Sequence, residues 1–454
     1  MLEKMFKLSE NKTNVRTEVI GGVTTFMTMA YILAVNPNIL SASGMNATAI
    51  MVATALASFV GTMCMALMAN YPFALAPGLG LNAYFAYTVC GVMGYSWQFA
   101  LLAVFVEGLI FIVLSVTNVR EAIFDSIPAQ LKNGVSVGIG LFVAFIGLQN
   151  GGLVVDSSST KVTVVDFSEN FSTAGITALL CFIGVIIIAI LSYKNVKGSF
   201  LIGIFGVWIL GIICQLCGLY TVDVENGFYS LIPSSFVSFD FSSLGEIFGQ
   251  CFNTSAIGSI KILDMIVIVF AFLFVDMFDT IGTLIGVANK ADMLDENGKL
   301  ARIKPALLSD AIATSAGAIL GTSTTTTFVE SSAGVSQGAR TGLASVVTGL
   351  LFLLSVIFAP LFTTIPSYAT ASALIYVGFL MITAIVKIDF SDVTEAVPAY
   401  LCLLTMPLMY SISEGIAVGV ISYSAIKLCT GKKKEVHPLM YVLSVLFILK
   451  YIFM

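Results

Sequence analysis

Histidine occurs once in this sequence, at His437, and charged residues of either sign are scarce. Only 10% of the 454 residues are Asp, Glu, Lys or Arg, and 58% are hydrophobic. Soluble domains carry about 25% charged residues, so this composition excludes a water-soluble fold and points to a polytopic membrane protein. The mean hydropathy of +0.99 agrees. A lone histidine excludes a HExxH metal site and any imidazole relay inside an apolar run. No GxSxG or other nucleophile–base set is present, which argues against a membrane-embedded enzyme. Basic clusters with interleaved aromatics are also missing, so nucleic acid is not an expected partner. The eight cysteines have no regular spacing. Cys214 and Cys217 have CxxC spacing but lie in the apolar stretch 201–219 without a second pair, so they read as small buried hydrophobes rather than as a metal or redox centre. No metal ligand set and no cofactor is expected.

Long apolar runs are what the chain does have. They fall at 19–40, 48–69, 98–116, 133–150, 172–191, 200–219, 262–288, 306–321, 341–363 and 369–387, each long enough to span a bilayer. Residues 397–411 and 412–429 form two shorter runs. Stretches 71–90 and 322–339 differ, because each starts extended and then turns helical. Pro72 and Pro77 forbid a regular helix over Asn70–Gly78. The run Thr322-Ser323-Thr324-Thr325-Thr326-Thr327-Phe328 is β-branched and favours a short strand. The expected fold is therefore an all-α polytopic membrane protein of 14 transmembrane segments, with short β-strands in segments 3 and 10. The final run, 436–454, is interrupted by Lys450 and is expected either at the interface or as an extra span.

Basic residues orient these segments. Met1–Arg16 is polar and basic with no short apolar core and cleavage site after it, so the N-terminus is expected to be retained and cytoplasmic. From that start, fourteen spans put Arg120, Lys132, Lys299, Arg340 and most other basic residues in the cytoplasm. Of the 21, Lys161 and Lys261 alone fall outside and Lys450 stays unassigned, in line with the positive-inside rule. Seven spans on each side of the loop at 220–261 give an odd number per half. The halves 17–220 and 262–430 then enter with opposite orientation, as an inverted repeat, and the two extended-then-helical stretches occupy the third place in each.

In the stretch 270–332, Asp276, Asp279 and Glu330 are carboxylates set into runs otherwise apolar enough to be membrane. A charge at bilayer depth costs roughly 2.5 kcal/mol or more, so such groups usually face a cavity and have a task. Asp276, Asp279 and Thr283 share one helical face. Glu330 stands where the threonine strand turns into a helix.

The runs PFALAPGLGLNAYFAYTV, FVDMFDTIGTL and GTSTTTTFVESSAGVSQGARTGL together resemble the nucleobase–cation symporter-2 superfamily, in its AzgA-like branch of purine permeases. The resemblance extends from Thr17 to about Lys434. It implies a 7+7 inverted repeat with a core domain (17–117 plus 262–364) that moves against a gate domain (132–220 plus 369–430). It also implies that acidic positions in spans 8 and 10, here Asp276/Asp279 and Glu330, contact the base. The uracil branch has a histidine four residues after its span-8 carboxylate, where this chain has Thr283, so any proton coupling must run through carboxylates. The implied activity is proton-coupled uptake of a purine (hypoxanthine or guanine, with adenine as an alternative), with sodium as the less favoured ion. The alternative is an anion transporter of the same architecture, but an anion site calls for basic groups rather than three acids.

The chemistry of a purine fits these residues. A carboxylate accepts two adjacent N–H bonds in charge-assisted geometry, and free amides expected at the helix starts after Gly78 and Glu330 answer carbonyl and ring nitrogens. Carboxylates removed from water hold protons more readily, the more so beside one another. The expected substrate-binding set is Asp276, Asp279, Glu330, Asn82, Thr283, Ser331, Phe73 and Thr25, with the three acids also as proton carriers. Each has a plainer alternative. The acids could tie helices together, Asn82 could cap a helix, and Thr25 and Thr283 could bond back within their own helices. Phe73 could be core. Glu107 reads as an inter-helix contact and Glu414 as part of a capping box. The expected partners are a small purine base and the lipid bilayer, with a homodimer as the assembly to test.

Overall fold

Small polar residues begin the helices. In a computed structural model, which describes residues 2–117, 126–219, 221–223, 228–239, 241–257, 260–291, 293–294 and 300–453, Asn14 accepts from the Thr17 amide at 3.0 Å and opens helix α1, Val15–Ser43. Asn46 accepts from the Thr48 amide and opens α2, Ala47–Ala69. After strand β1, Leu75–Pro77, come α3, Leu79–Val92, and α4, Trp97–Val116, which Ser96 caps. The chain continues through α5 (Ala129–Asn150), a hairpin of β2 (Val154–Ser157) and β3 (Lys161–Val164), α6 (Phe171–Tyr193) and α7 (Ser199–Leu216). The second half holds α8 (Ile262–Lys290), α9 (Ile303–Leu320), β4 (Thr325–Thr327) and α10 (Ser331–Val335). Then follow α11 (Gly342–Thr363), α12 (Ser367–Lys387), α13 (Val393–Leu408) and α14 (Ile412–Cys429). A last helix, α15, covers Pro438–Phe453. Arg120 and Lys299 lie outside the described residues.

Among the described residues, eleven helices are long and apolar enough to cross a membrane. The expected strands in the third and tenth segments are both present. The β2–β3 hairpin was not expected. It lies on the exposed connection between α5 and α6, where no burial pattern marks it.

The helices pack in two groups. In the core group α9 lies against α2 and α4, and α11 against α1 and α2, with α10 on α1. In the gate group α5 lies against α12 and α13, α6 against α7 and α12, and α13 against α14. This is a core-and-gate architecture. Small residues set the closest approaches. A Cβ on Gly378 of α12 would stand 2.5 Å from the Gly140 carbonyl oxygen of α5 and 2.6 Å from Ala144 Cβ.

Helix α15 runs back along α14. The Ser444 hydroxyl lies 3.2 Å from the Val420 carbonyl oxygen and 2.7 Å from Ser424 Oγ. Its Lys450, which breaks the apolar run, pairs with Glu414, and Tyr451 also donates to that carboxylate. The capping box read from Ser411 and Glu414 is therefore half formed. Ser411 Oγ accepts from the Glu414 amide at 3.4 Å, while the Glu414 side chain faces α15.

The α5–α12 contact should not tolerate a side chain at Gly378. Gly378→Ala should destabilise the protein by about 1–3 kcal/mol, the usual cost of overpacking, read as a lower melting temperature in detergent. Gly206→Ala, where nothing lies within 4 Å of the new Cβ, should not. Equal stability of the two variants would contradict this packing.

Candidate functional site

A proline-bound segment and a threonine-rich segment meet in the interior of the core group. β1 and β4 pair antiparallel, with Leu75 opposite Thr327, Ala76 opposite Thr326 and Pro77 opposite Thr325. The Gly78 amide donates to the Thr324 carbonyl and the Phe328 amide to the Ala74 carbonyl, each at 3.0 Å. Two three-residue strands leave most of their outer backbone groups without a ladder partner, and buried orphans of this kind are strongly unfavourable. Hydroxyl side chains of the surrounding helices fill the gap. Thr62 of α2 accepts from the Leu75 amide at 3.0 Å, and Thr314 of α9 donates to the Thr325 carbonyl at 3.1 Å. Ser331 accepts from the Ala74 amide at 3.0 Å, and Ser345 of α11 reaches the carbonyls of Tyr71 and Phe73 at 2.7 and 2.9 Å.

Two helices start from this strand pair. In α3 the first intrahelical bond is from the Asn82 amide to the Gly78 carbonyl at 2.8 Å. The amides of Leu79, Gly80 and Leu81 therefore head the helix without an intrahelical acceptor. Glycine at 78 lets the two segments approach closely, because a Cβ there would stand 2.8 Å from Thr326 Cγ2 and force β4 to shift. At α10 the sequence expectation of free amides is not met. The Ser331, Ser332 and Ala333 amides close tight turns onto the carbonyls of Phe328, Val329 and Glu330 at 3.1, 3.0 and 2.9 Å.

The carboxylates separate by environment. Asp279 of α8 is half-buried, with Oδ2 3.5 Å from the place of a Cβ on Gly78, at the head of α3. Glu330 is half-buried at the start of α10, and its Oε1 accepts from the Tyr31 hydroxyl at 2.6 Å. Asp279 lies within electrostatic range of Glu330. Neither is paired with Lys or Arg among the described residues. Asp276 is fully buried, and it too lies within electrostatic range of Asp279. The Thr280 hydroxyl lies 2.9 Å from both Asp276 Oδ1 and Asp310 Oδ1 of α9, and 2.7 Å from Thr326 Oγ1 of β4. Thr280 thus joins three elements of the core group behind the open face.

The other expected residues spread over these two settings. Thr283 is half-buried, one turn beyond Asp279. Asn82 is fully buried and takes a hydrogen bond from Ser323. Ser331 is fully buried and holds the Ala74 amide. Phe73 is fully buried and stacks on Tyr71, with ring centroids 5.1 Å apart. Thr25 is buried where α1 meets α10, with Oγ1 2.2 Å from the place of a Cβ on Gly334. Glu107 accepts from Thr324 at 2.7 Å, a contact between α4 and the strand region. Tyr31, Thr280 and Asp310 were not singled out from the sequence. Asp310 carried the same signal as the others, a carboxylate in the apolar run 306–321, whereas an aromatic in a first span carries none.

Residues 16–418 match the model of the Permease family. The chain is 44% identical to the guanine/hypoxanthine permease PbuG of Bacillus subtilis, with all of each chain covered. It is 41% identical to the adenine permease AdeP of Escherichia coli, over all of this chain and 96% of the other. Among solved structures it resembles the transmembrane domain of the cyanobacterial bicarbonate transporter BicA, with a TM-score of 0.62 at 16% identity, covering 90% of this chain and 97% of that one. At that identity the likeness is one of fold.

Thr280→Val keeps the shape of the side chain but removes the hydroxyl shared by Asp276, Asp310 and Thr326. It should destabilise the protein by about 1–3 kcal/mol, the scale of a lost buried hydrogen bond to a charged group, whereas Thr280→Ser should stay near wild type. Melting curves in detergent compare them, and a Val variant as stable as the Ser variant would contradict the bridging role.

Proposed function

The chain belongs to the Permease family, and on that premise we propose that it carries purine nucleobases across the cell membrane in symport with protons. Hypoxanthine and guanine are the favoured substrates and adenine the alternative. The observation that carries this reading is the pair of half-buried carboxylates, Asp279 and Glu330, at the starts of two helices that leave one strand pair. Such a pair suits the ring N–H groups of a flat base, and the amides heading α3 suit its carbonyl or imidazole nitrogens. The full-length relatives named for guanine, hypoxanthine and adenine support the same substrate class. Two acids with no Lys or Arg partner among the described residues disfavour a bicarbonate-like anion at the same place.

In this reading the core (17–117 and 262–364) slides against the gate (132–220 and 369–430) and carries the site from one side of the membrane to the other. The N-terminus lies in the cytoplasm, in keeping with the distribution of lysine and arginine. Glu330 is the main acceptor of the purine N–H groups, Asp279 a second ligand and Asp276 a titrating group behind them.

Glu330→Ala should abolish uptake of labelled hypoxanthine at normal protein abundance. Glu330→Gln should weaken binding by roughly 1.5–3 kcal/mol, the scale of a charged hydrogen bond. Wild-type affinity in the Gln variant would end this assignment. Uptake should rise as external pH falls, collapse with a protonophore and ignore the removal of sodium; strict sodium dependence would identify a different ion. Asp279→Asn should reduce mainly affinity, whereas Asp276→Asn should keep a measurable site but flatten the pH dependence. Equilibrium purine binding at two pH values separates these roles, and the reverse pattern would exchange them.

A further inference from the structure

Tyr31 touches both a site carboxylate and the gate group. It stands at a break in α1. The helix from Val15 ends at Met29 and a second stretch begins at Ile32. The turn is tightened by bonds from Leu33 and Ala34 to the carbonyls of Ala30 and Tyr31. The Tyr31 hydroxyl donates to Glu330 Oε1 at 2.6 Å. Its ring stacks on Phe200 of α7, with centroids 4.9 Å apart and planes 21° apart. Phe200 in turn meets Tyr376 of α12 edge-on at 5.5 Å. Both Tyr31 and Phe200 are buried.

Two further contacts bring the start of α7 onto the same elements. Lys197 donates to Gln337 Oε1 at 2.8 Å, just beyond α10. Gly198, with φ of +74°, has its Cβ position 3.2 Å from the Met27 carbonyl oxygen of α1. Gate residues 197–200 thus lie against α1 and the far end of α10, while Glu330 heads α10.

We propose that Tyr31 is a positioning residue that also latches the core to the gate: its hydroxyl fixes Glu330 and its ring, stacked on Phe200, holds the two groups together in this conformation. The role given to Glu330 rests on the purine-transport reading. A hydroxyl on Oε1 restricts the carboxylate to one orientation, so the ligand meets a preset acceptor. A core that moves against the gate must part the Tyr31–Phe200 stack in each cycle. The same side chain therefore links the geometry of the site to the release of the latch.

The two functions separate by substitution. Tyr31→Phe keeps the stack and removes the hydroxyl, and should weaken equilibrium binding of labelled hypoxanthine by about tenfold or more, as for a lost bond to a charged group. Phe200→Leu keeps the hydroxyl bond and removes the stack. It should leave binding within about twofold but change the maximal transport rate in proteoliposomes by about twofold to tenfold, the range for an aromatic pair. Phe200→Trp should restore the rate. A third measurement needs no substrate. Lys197→Cys and Gln337→Cys, introduced together with Cys217→Ser and Cys429→Ser, are bridged with a short bis-maleimide. Phe200→Leu should lower the cross-link yield and Tyr31→Phe should not. Unchanged binding in Tyr31→Phe alongside normal wild-type binding would overturn the positioning role. Unchanged cross-linking in Phe200→Leu would overturn the latch, whatever the substrate. Absence of purine binding by the wild type would overturn the functional reading and leave the latch to be judged by the cross-link alone.

Discussion

An unpaired peptide group cannot persist inside an apolar bundle, and the site exists because this protein solves that problem in the middle of its core group. Strands β1 and β4 satisfy each other over three residues. Hydroxyls from Thr62, Thr314, Ser331 and Ser345 take up the backbone groups that the short pairing leaves over. The cost of breaking two helices is thereby offset, and the gain is two helix starts in the interior rather than at its edge. The start of α3 places amide donors at that depth without charged side chains, and the start of α10 places the Glu330 carboxylate there.

The acids follow the same division. Asp276 and Asp310 are buried around the Thr280 hydroxyl and bind α8, α9 and β4 into one unit. Asp279 and Glu330, three residues further along α8 and at the head of α10, keep partial exposure. One helical turn thus separates a carboxylate that holds the scaffold from one that is open to a ligand. Small residues allow the gate to pack as closely as Gly140 and Gly378 require, so the gate forms a firm surface against which the core can stand. Lys450 and Glu414 neutralise each other where α15 lies along α14, which explains how a lysine can interrupt an apolar helix.

Much of this was legible in the sequence, for physical reasons that can be named. Pro72 and Pro77 cannot continue a helix, and the run Thr322 to Thr327 prefers extended backbone, so both breaks and their matching places in the two halves could be read. Asp276, Asp279 and Glu330 stood out because charge in an apolar run needs a reason. The residue pattern alone did not say which of the span-8 acids is open, since both lie on nearly the same helical face and burial depends on where α9 and β4 come to rest; the family resemblance pointed to Asp279. Tyr31 was not legible at all. Its partner Glu330 lies 299 positions away, and an aromatic ring in an apolar helix has no pattern that sets it apart. The Ser331–Ala333 amides were misjudged because α10 begins with tight turns that close on their own carbonyls.

The central claim is that a purine sits between Asp279 and Glu330 at the heads of α3 and α10. The most direct test is an experimental structure of the full chain with hypoxanthine bound. The account predicts the base between the two helix starts, with its ring N–H groups within hydrogen-bonding distance of the Glu330 carboxylate and its opposite edge toward Asp279 and the amides of Leu79 to Leu81. A base held elsewhere, or held by gate residues without Glu330, would contradict it.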